Sequence, residues 1–267
     1  MMADKEQVSK MTELLDRLVD SSELSSDEFK VVADAVATEA KKLDEDGFLA
    51  ALDEAIGRSK RRRRQALHLL AQFTHLEGVV ARIGRESWHP CELERNWFTM
   101  KVGFCGLVQL AGFLNPIIEL ELSLPNRNSA ILSVGLLRAP CNLPVLLKLT
   151  ENPPTGSEHD LTVALTRYGA PEARTFLKRR FNDPELDKFC RVHAAWGLGK
   201  LGDKEAMSYL AEMLYDPTVK NATGIYPGES LTAASAICDI KGWHFEWSGS
   251  FLKANRDGWK SKLLSES

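Results

Sequence analysis

Apolar residues recur at helical spacing along most of this chain, and one stretch also repeats itself at a fixed interval. Between residues 161 and 217 the sequence aligns with itself after a shift of 33 residues. The matched positions include two glycines, Gly169 with Gly202, and two leucines, Leu177 with Leu210. A regular period of this size, with one supersecondary unit in each period, is the signature of stacked helical repeats. We therefore predict an all-α fold, an α-solenoid of helical hairpins.

Each period predicts two helices joined by a tight turn. In the unit from 184 to 216 the first helix is expected to end at Gly202, where a left-handed C-cap is favourable. Asp203 is expected to cap the second helix, whose apolar stripe has a period of 3.6 residues. The pair Asp183-Pro184 is expected to start the first helix, because Asp caps free N–H groups and Pro suits the first turn. Because two short helices cannot bury their apolar faces alone, neighbouring units must stack.

Less regular units precede the clear pair, and we predict five or six repeats in total. The weaker units lie at 129–150, 97–122 and 66–83. The clearest repeats are 161–183 and 184–216. The amphipathic segments of residues 1–57 do not fit the period, so we predict an atypical helical N-terminal cap there and a repeat domain over 58–267. The aromatic-rich segment 231–267 is expected to close the C-terminal end, since terminal repeats need an atypical outer face.

The run from Arg191 to Ala206 resembles a known repeat family. Its sequence, Arg-Val-His-Ala-Ala-Trp-Gly-Leu-Gly-Lys-Leu-Gly-Asp-Lys-Glu-Ala, is similar to the HEAT-like repeat, especially the short subtype of phycobilisome lyases. The resemblance covers this unit and the one before it, about 57 residues, and it implies an α-solenoid. It implies no reaction, because the same repeat occurs in proteins of many functions. Two enzyme classes that contain such repeats stay open as alternatives, namely bilin lyases and alkylpurine DNA glycosylases.

Charge is distributed unevenly along the chain. Residues 1–57 carry 6 basic and 15 acidic side chains, net −9, whereas residues 58–267 carry 28 and 22, net +6. A solvated acidic end-cap explains the first segment. The basic run Lys60–Arg64 opposes the dipole of the helix that it begins. An ion-paired face against the acidic cap is our preferred explanation, and a nuclear-localisation or nucleic-acid patch is the alternative.

Cysteine and histidine positions favour no reaction. The five cysteines have no CxxC spacing, so we expect buried, reduced thiols in a cytoplasmic protein, with Cys141 and Cys190 in the core. The densest metal-ligand cluster, Glu158-His159-Asp160, has no second cluster at repeat spacing to complete it. We expect no metal and no cofactor. We also expect no membrane span, because the longest uncharged run, 102–118, is too short and too polar.

A glycine motif and a long loop are the remaining candidates. Gly197-x-Gly199-x-x-Gly202 matches a dinucleotide fingerprint on paper, but it lies within and at the end of a predicted helix rather than after a strand. The segment 217–229 is longer than a normal turn between repeats, and loops of this length are often functional. Neither feature defines a substrate.

In helical-repeat proteins of this kind the second helix of each hairpin lines a concave surface, and its exposed positions contact partners. Here those positions combine mixed charge with small residues, which suits a protein partner better than a nucleic acid. The predicted partner-binding residues are Glu119, Lys148, Arg174, Thr175, Lys178, Arg179, Ser208 and Glu212. We predict a non-catalytic protein-binding scaffold, and as its narrower form an immunity or inhibitor protein that occludes a cognate toxin.

Overall fold

The computed structural model describes residues 5–19, helical positions scattered between 31 and 54, and residues 77–215 and 228–244. Every regular element in these ranges is a helix, so the predicted all-α repeat fold is confirmed there. None of the described helices is long and apolar enough to span a bilayer. The basic run Lys60–Arg64 lies outside the described residues, and so do positions 217–227 of the long loop.

The chain divides into two units by its internal contacts, Met1–Leu114 and Asn115–Ser267. The predicted boundary after residue 57 stays a prediction, because it falls in a segment outside the described residues. The predicted C-terminal cap, 231–267, is described only as far as residue 244. Each unit is therefore considered by itself.

The first unit begins with helix α1 (Lys5–Val19), which matches the amphipathic pattern at the start of the chain. Met11 and Leu15 point from this helix into the core and are almost fully buried. Further along lie α2 (Glu77–Gly84) and α3 (Glu92–Phe104), separated by a 3₁₀ turn and followed by a 3₁₀ segment at Val108–Leu114.

The second unit holds the regular repeats. Its described helices are α4 (Asn115–Leu120), α5 (Leu124–Leu137), α6 (Leu143–Glu151), α7 (Glu158–Tyr168), α8 (Arg174–Asn182), α9 (Lys188–Lys200), α10 (Lys204–Tyr215) and α11 (Gly228–Lys241). The first helices of successive hairpins pack side by side, α5 on α7, α7 on α9 and α9 on α11. The second helices, α6, α8 and α10, form the other layer, and α8 and α10 both pack on α9. This is the stacked-hairpin arrangement that the 33-residue period predicts.

Stacking explains where the core lies. Helix α9 has neighbours on four sides, so its buried positions extend around the helix and include Val192, Ala195 and Leu198. Helix α8 buries only one face, through Phe176, Leu177 and Phe181, and leaves its other positions polar. The first helices are therefore the apolar spine of the unit, and the second helices present a surface to solvent.

Small residues let the first helices approach closely. A Cβ atom added at Gly135 of α5 would lie 2.6 Å from the Cα atom of Ala164 in α7. A Cβ atom at Gly197 of α9 would lie 2.6 Å from the hydroxyl oxygen of Thr166 in α7. Both distances are shorter than any ordinary contact, so these glycines set the spacing between neighbouring repeats.

The predicted turn chemistry of the 184–216 unit is right between its two helices and wrong at its start. Gly202 has a positive φ of 81°, and Asp203 accepts from the backbone N–H of Ala206 at 3.1 Å, as predicted. Asp183-Pro184, however, does not start a helix. Helix α9 begins at Lys188, and its N-cap is Asp187, whose Oδ1 accepts from the N–H of Cys190 at 2.7 Å.

Candidate functional site

All eight predicted partner-binding residues are exposed, seven of them on the second helices α6, α8 and α10 and one on α4, and we call them the B-helix surface. They are Glu119 on α4, Lys148 on α6, Arg174, Thr175, Lys178 and Arg179 on α8, and Ser208 and Glu212 on α10. The structure brings Glu119 and Lys148 together as an ion pair at 3.1 Å across neighbouring repeats. Half of the surface residues lie on α8. The role of all eight residues in binding stays a prediction.

The two exposed arginines of α8 are held by backbone carbonyls of the adjoining repeats. Arg174 Nη2 donates to the carbonyl oxygen of Leu201, at the end of α9, at 2.6 Å. Arg179 Nη2 donates to the carbonyl oxygen of Thr150, in the last turn of α6, at 3.2 Å, and its guanidinium also lies over the Phe176 ring. These carbonyls belong to helix C-termini, where the macrodipole favours positive charge. The guanidiniums are therefore fixed in position although they remain exposed.

Lys178 has a looser contact. Its Nζ lies 3.9 Å from Asp203 Oδ2, while the Asp203 Oδ1 atom caps α10. The Lys178 side chain is 50% exposed, and an exposed ion pair at this distance contributes little to stability. The positive charge of α8 is therefore only partly compensated by the protein itself.

A second cluster forms where the N-termini of α7 and α9 meet. Cys190 Sγ lies 3.3 Å from His159 Nδ1 and 3.6 Å from Asp187 Oδ2. The prediction that Cys190 lies in the core is therefore wrong, because its side chain is only half-buried. The same prediction is wrong for Cys141, which is exposed like Cys105, and of the five cysteines, all free, only Cys238 is buried.

The protonation of this cluster argues against a nucleophilic thiol. Burial, followed by the neighbouring Asp187 carboxylate, raises the pKa of the Cys190 thiol to about 11. Burial also lowers the pKa of His159, which Asp160 partly offsets. At neutral pH the pair is therefore a neutral thiol beside a neutral imidazole, not a thiolate–imidazolium pair. The contact is one that stabilises the packing of α7 against α9.

Aromatic rings extend this cluster along α9. The His193 ring packs edge-on against His159, with centroids 5.0 Å apart, and against Phe189, with centroids 4.7 Å apart. Its Nδ1 atom is 3.1 Å from the carbonyl oxygen of Phe189, and burial lowers the pKa of His193 to about 4. Further along, Trp196 Nε1 donates to Asp239 Oδ2 of α11 at 2.8 Å. These contacts connect the first helices of three successive hairpins, α7, α9 and α11.

No sequence motif connects these residues. The available signal was the spacing of Phe189, His193 and Trp196, which places them on one face of α9. Their partner His159 is 31 residues before Cys190, so the contact depends on how the repeats stack. Among the described residues, no three His, Cys, Asp or Glu side chains are arranged to hold a metal ion.

The described fold and surface define a helical-repeat protein, and comparison with known families agrees. The family described as PBS lyase HEAT-like repeat matches residues 191–216, which cover most of α9 and α10. Residues 191–216 therefore form a HEAT-like repeat, as the resemblance in the sequence implied. It matches no curated protein significantly.

Proposed function

We propose that the second unit is a non-catalytic scaffold that binds another protein through the B-helix surface, which we predict to be concave. The observation that supports this proposal most directly is the pair of exposed arginines on α8, Arg174 and Arg179, which are fixed in position. Their guanidiniums are held by carbonyls of the repeats on either side, at Leu201 and Thr150. A surface whose polar groups are already positioned loses less conformational entropy when a partner binds.

The layered architecture supports the same function. The first helices are occupied with packing against one another, whereas α8 buries only its Phe176, Leu177 and Phe181 face. In stacked-repeat proteins the exposed faces of successive repeats add up to one extended surface, which suits a macromolecular partner.

Affinity capture with bulky substitutions tests the proposal. The tagged chain is expected to capture one stoichiometric protein from its native host, identified by mass spectrometry. Thr175→Trp places a large uncharged side chain on the surface and is expected to abolish that capture. Thr155→Trp makes the same change at an exposed position in the loop between α6 and α7 and is the matched control. If both variants capture the partner as well as the wild type does, the B-helix surface is not the binding site.

The narrower form of this function is inhibition of a cognate toxin. In that case the captured protein is a toxin, and adding the purified scaffold reduces the toxin's activity. The enzyme alternatives predict other observations: a bilin lyase copurifies with a visible pigment, and a DNA glycosylase binds duplex DNA in a strongly salt-dependent way. Either result would contradict a non-catalytic scaffold.

A further inference from the structure

The charge on α8 defines which kind of partner segment this helix fits. Three exposed cations, Arg174, Lys178 and Arg179, lie within a helix of nine residues that contains no acidic side chain. The acidic side chain that the structure pairs with them is Asp203, 3.9 Å from Lys178. Helix α8 is therefore a local concentration of positive charge within a chain of net charge −3.

Folding accounts for only part of this concentration of positive charge. Arg174 is the first residue of α8, where a positive charge opposes the helix macrodipole. The Lys178–Asp203 pair is long and exposed, so it contributes little to stability. The fold uses one N–H group of Arg174 and one of Arg179, each bonded to a carbonyl of a neighbouring repeat. The cations are therefore available for a different purpose.

The two arginines are arranged to bind carboxylates. A guanidinium has five N–H donors in a rigid fork, and the structure shows one carbonyl bond each for Arg174 and Arg179. The remaining N–H groups of these exposed side chains can donate to both oxygens of a carboxylate in bidentate geometry. Because the carbonyl bonds already restrict both side chains, their forks lose little further freedom on binding.

The neighbours of α8 favour a short acidic segment over a nucleic acid. A nine-residue helix is about 13 Å long, which matches a few carboxylates. A polynucleotide would continue past α8 onto α6 and α10, where Glu151, Glu205 and Glu212 are exposed. Those carboxylates repel a continuous phosphate backbone and remove much of its electrostatic attraction. A peptide segment can instead present acidic residues to α8 and other residues to its neighbours.

We propose that α8 docks a short acidic segment of the protein partner, whose carboxylates accept from Arg174 and Arg179 and pair with Lys178. This inference rests on the proposed function and specifies the chemistry of the partner at this part of the surface. The contact is electrostatic, so it also speeds association and weakens as salt is added.

A peptide titration with the full chain tests the inference. The probe is a fluorescein-labelled peptide of about eight glutamates, followed by fluorescence anisotropy at about 50 and 300 mM NaCl. The variant Lys178→Glu/Arg179→Glu is expected to weaken binding about tenfold or more. The control Arg85→Glu/Arg138→Glu changes the net charge equally at exposed positions outside α8 and is expected to have an effect below about twofold. Equal thermal midpoints show that both variants are folded.

Two results would overturn the inference. If both double variants lose the same affinity, or the wild type does not bind the peptide, α8 is not a docking site for acidic segments. If duplex DNA binds more tightly than the peptide and depends on α8 in the same way, the partner is a nucleic acid.

The inference and the proposed function can fail separately. If Thr175→Trp abolishes capture of the host partner but Lys178→Glu/Arg179→Glu does not, the scaffold function stands and the acidic segment is wrong. If Thr175→Trp has no effect on capture, the scaffold function through this surface is wrong, whatever the peptide does.

Discussion

The buried histidine of α9 predicts how stability depends on pH. His193 is 8% exposed, lies against His159 and Phe189, and has a pKa that burial lowers from 6.5 to about 4. Below pH 6.5 the unfolded chain binds a proton at this residue that the folded chain does not bind until the pH approaches 4. The free energy of unfolding must therefore fall as the pH falls through this window, and His193 has no such effect above it.

The size of this loss of stability follows from the shift in the pKa of His193. Each pH unit below 6.5 removes about 1.4 kcal/mol of stability until the folded state also takes up the proton. Acidification from about pH 7 to about pH 5 therefore removes about 2 kcal/mol through His193 alone. That is a large part of the net stability of a typical domain. Burial also lowers the pKa of His159, which acts in the same direction.

Urea unfolding at the two pH values measures this effect. His193→Gln has no ionisable group at the site, so its free energy of unfolding should decrease by about 2 kcal/mol less than that of the wild type. His244→Gln, at an exposed position, controls for the loss of an imidazole and should behave like the wild type. If His193→Gln and wild type lose the same stability between about pH 7 and about pH 5, the assignment of a neutral, buried His193 is wrong.

Three further predictions follow from the contacts between repeats. Gly135→Ala places a methyl group against the Ala164 backbone and should lower stability by about 1–3 kcal/mol in urea unfolding, whereas Gly112→Ala, which meets nothing within 4 Å, should cost far less. Tyr168→Phe removes the 2.9 Å bond from the hydroxyl to the Ala139 carbonyl oxygen and should cost about 1 kcal/mol in the same assay. Iodoacetamide near neutral pH should modify the exposed Cys105 and Cys141 before Cys190, because burial keeps the Cys190 thiol protonated. Mass spectrometry follows the order of labelling, and faster labelling of Cys190 would mean that a thiolate is present.

The features predicted correctly from sequence are those that local chemistry decides. Apolar periodicity defined the helical hairpins, and the need for a left-handed cap identified Gly202, with its φ of 81°. The start of α9 was misplaced because two aspartates precede it and both are good caps. Asp183 accepts from the N–H of Glu185 in a turn, whereas Asp187 accepts from Cys190 and begins the helix. Local sequence did not distinguish these two outcomes.

The eight positions of the B-helix surface were predicted from the register alone, and all of them are exposed. The register did not predict the contacts that hold these side chains in position. The Lys148–Glu119 pair and the Arg179 bond to Thr150 each join residues 29 positions apart. Such contacts depend on the exact offset between stacked helices, which is set by close approaches such as that of Gly135 to Ala164.

This dependence connects the stability of the unit to the proposed binding surface. Hydrogen bonds between residues 27 to 29 positions apart recur along the stack, from Thr166 to the His193 carbonyl, from Tyr168 to Ala139 and from Arg174 to Leu201. The first two bonds lie in the apolar spine, and the third positions a cation on α8. A change in the offset between repeats would therefore move the acceptor carbonyl away from Arg174 as well as disturb the core. Gly135→Ala acts between the α5–α6 and α7–α8 hairpins, which the bond from Arg179 to Thr150 also joins. It should therefore weaken partner binding in proportion to how far it shifts these hairpins, without touching the surface itself.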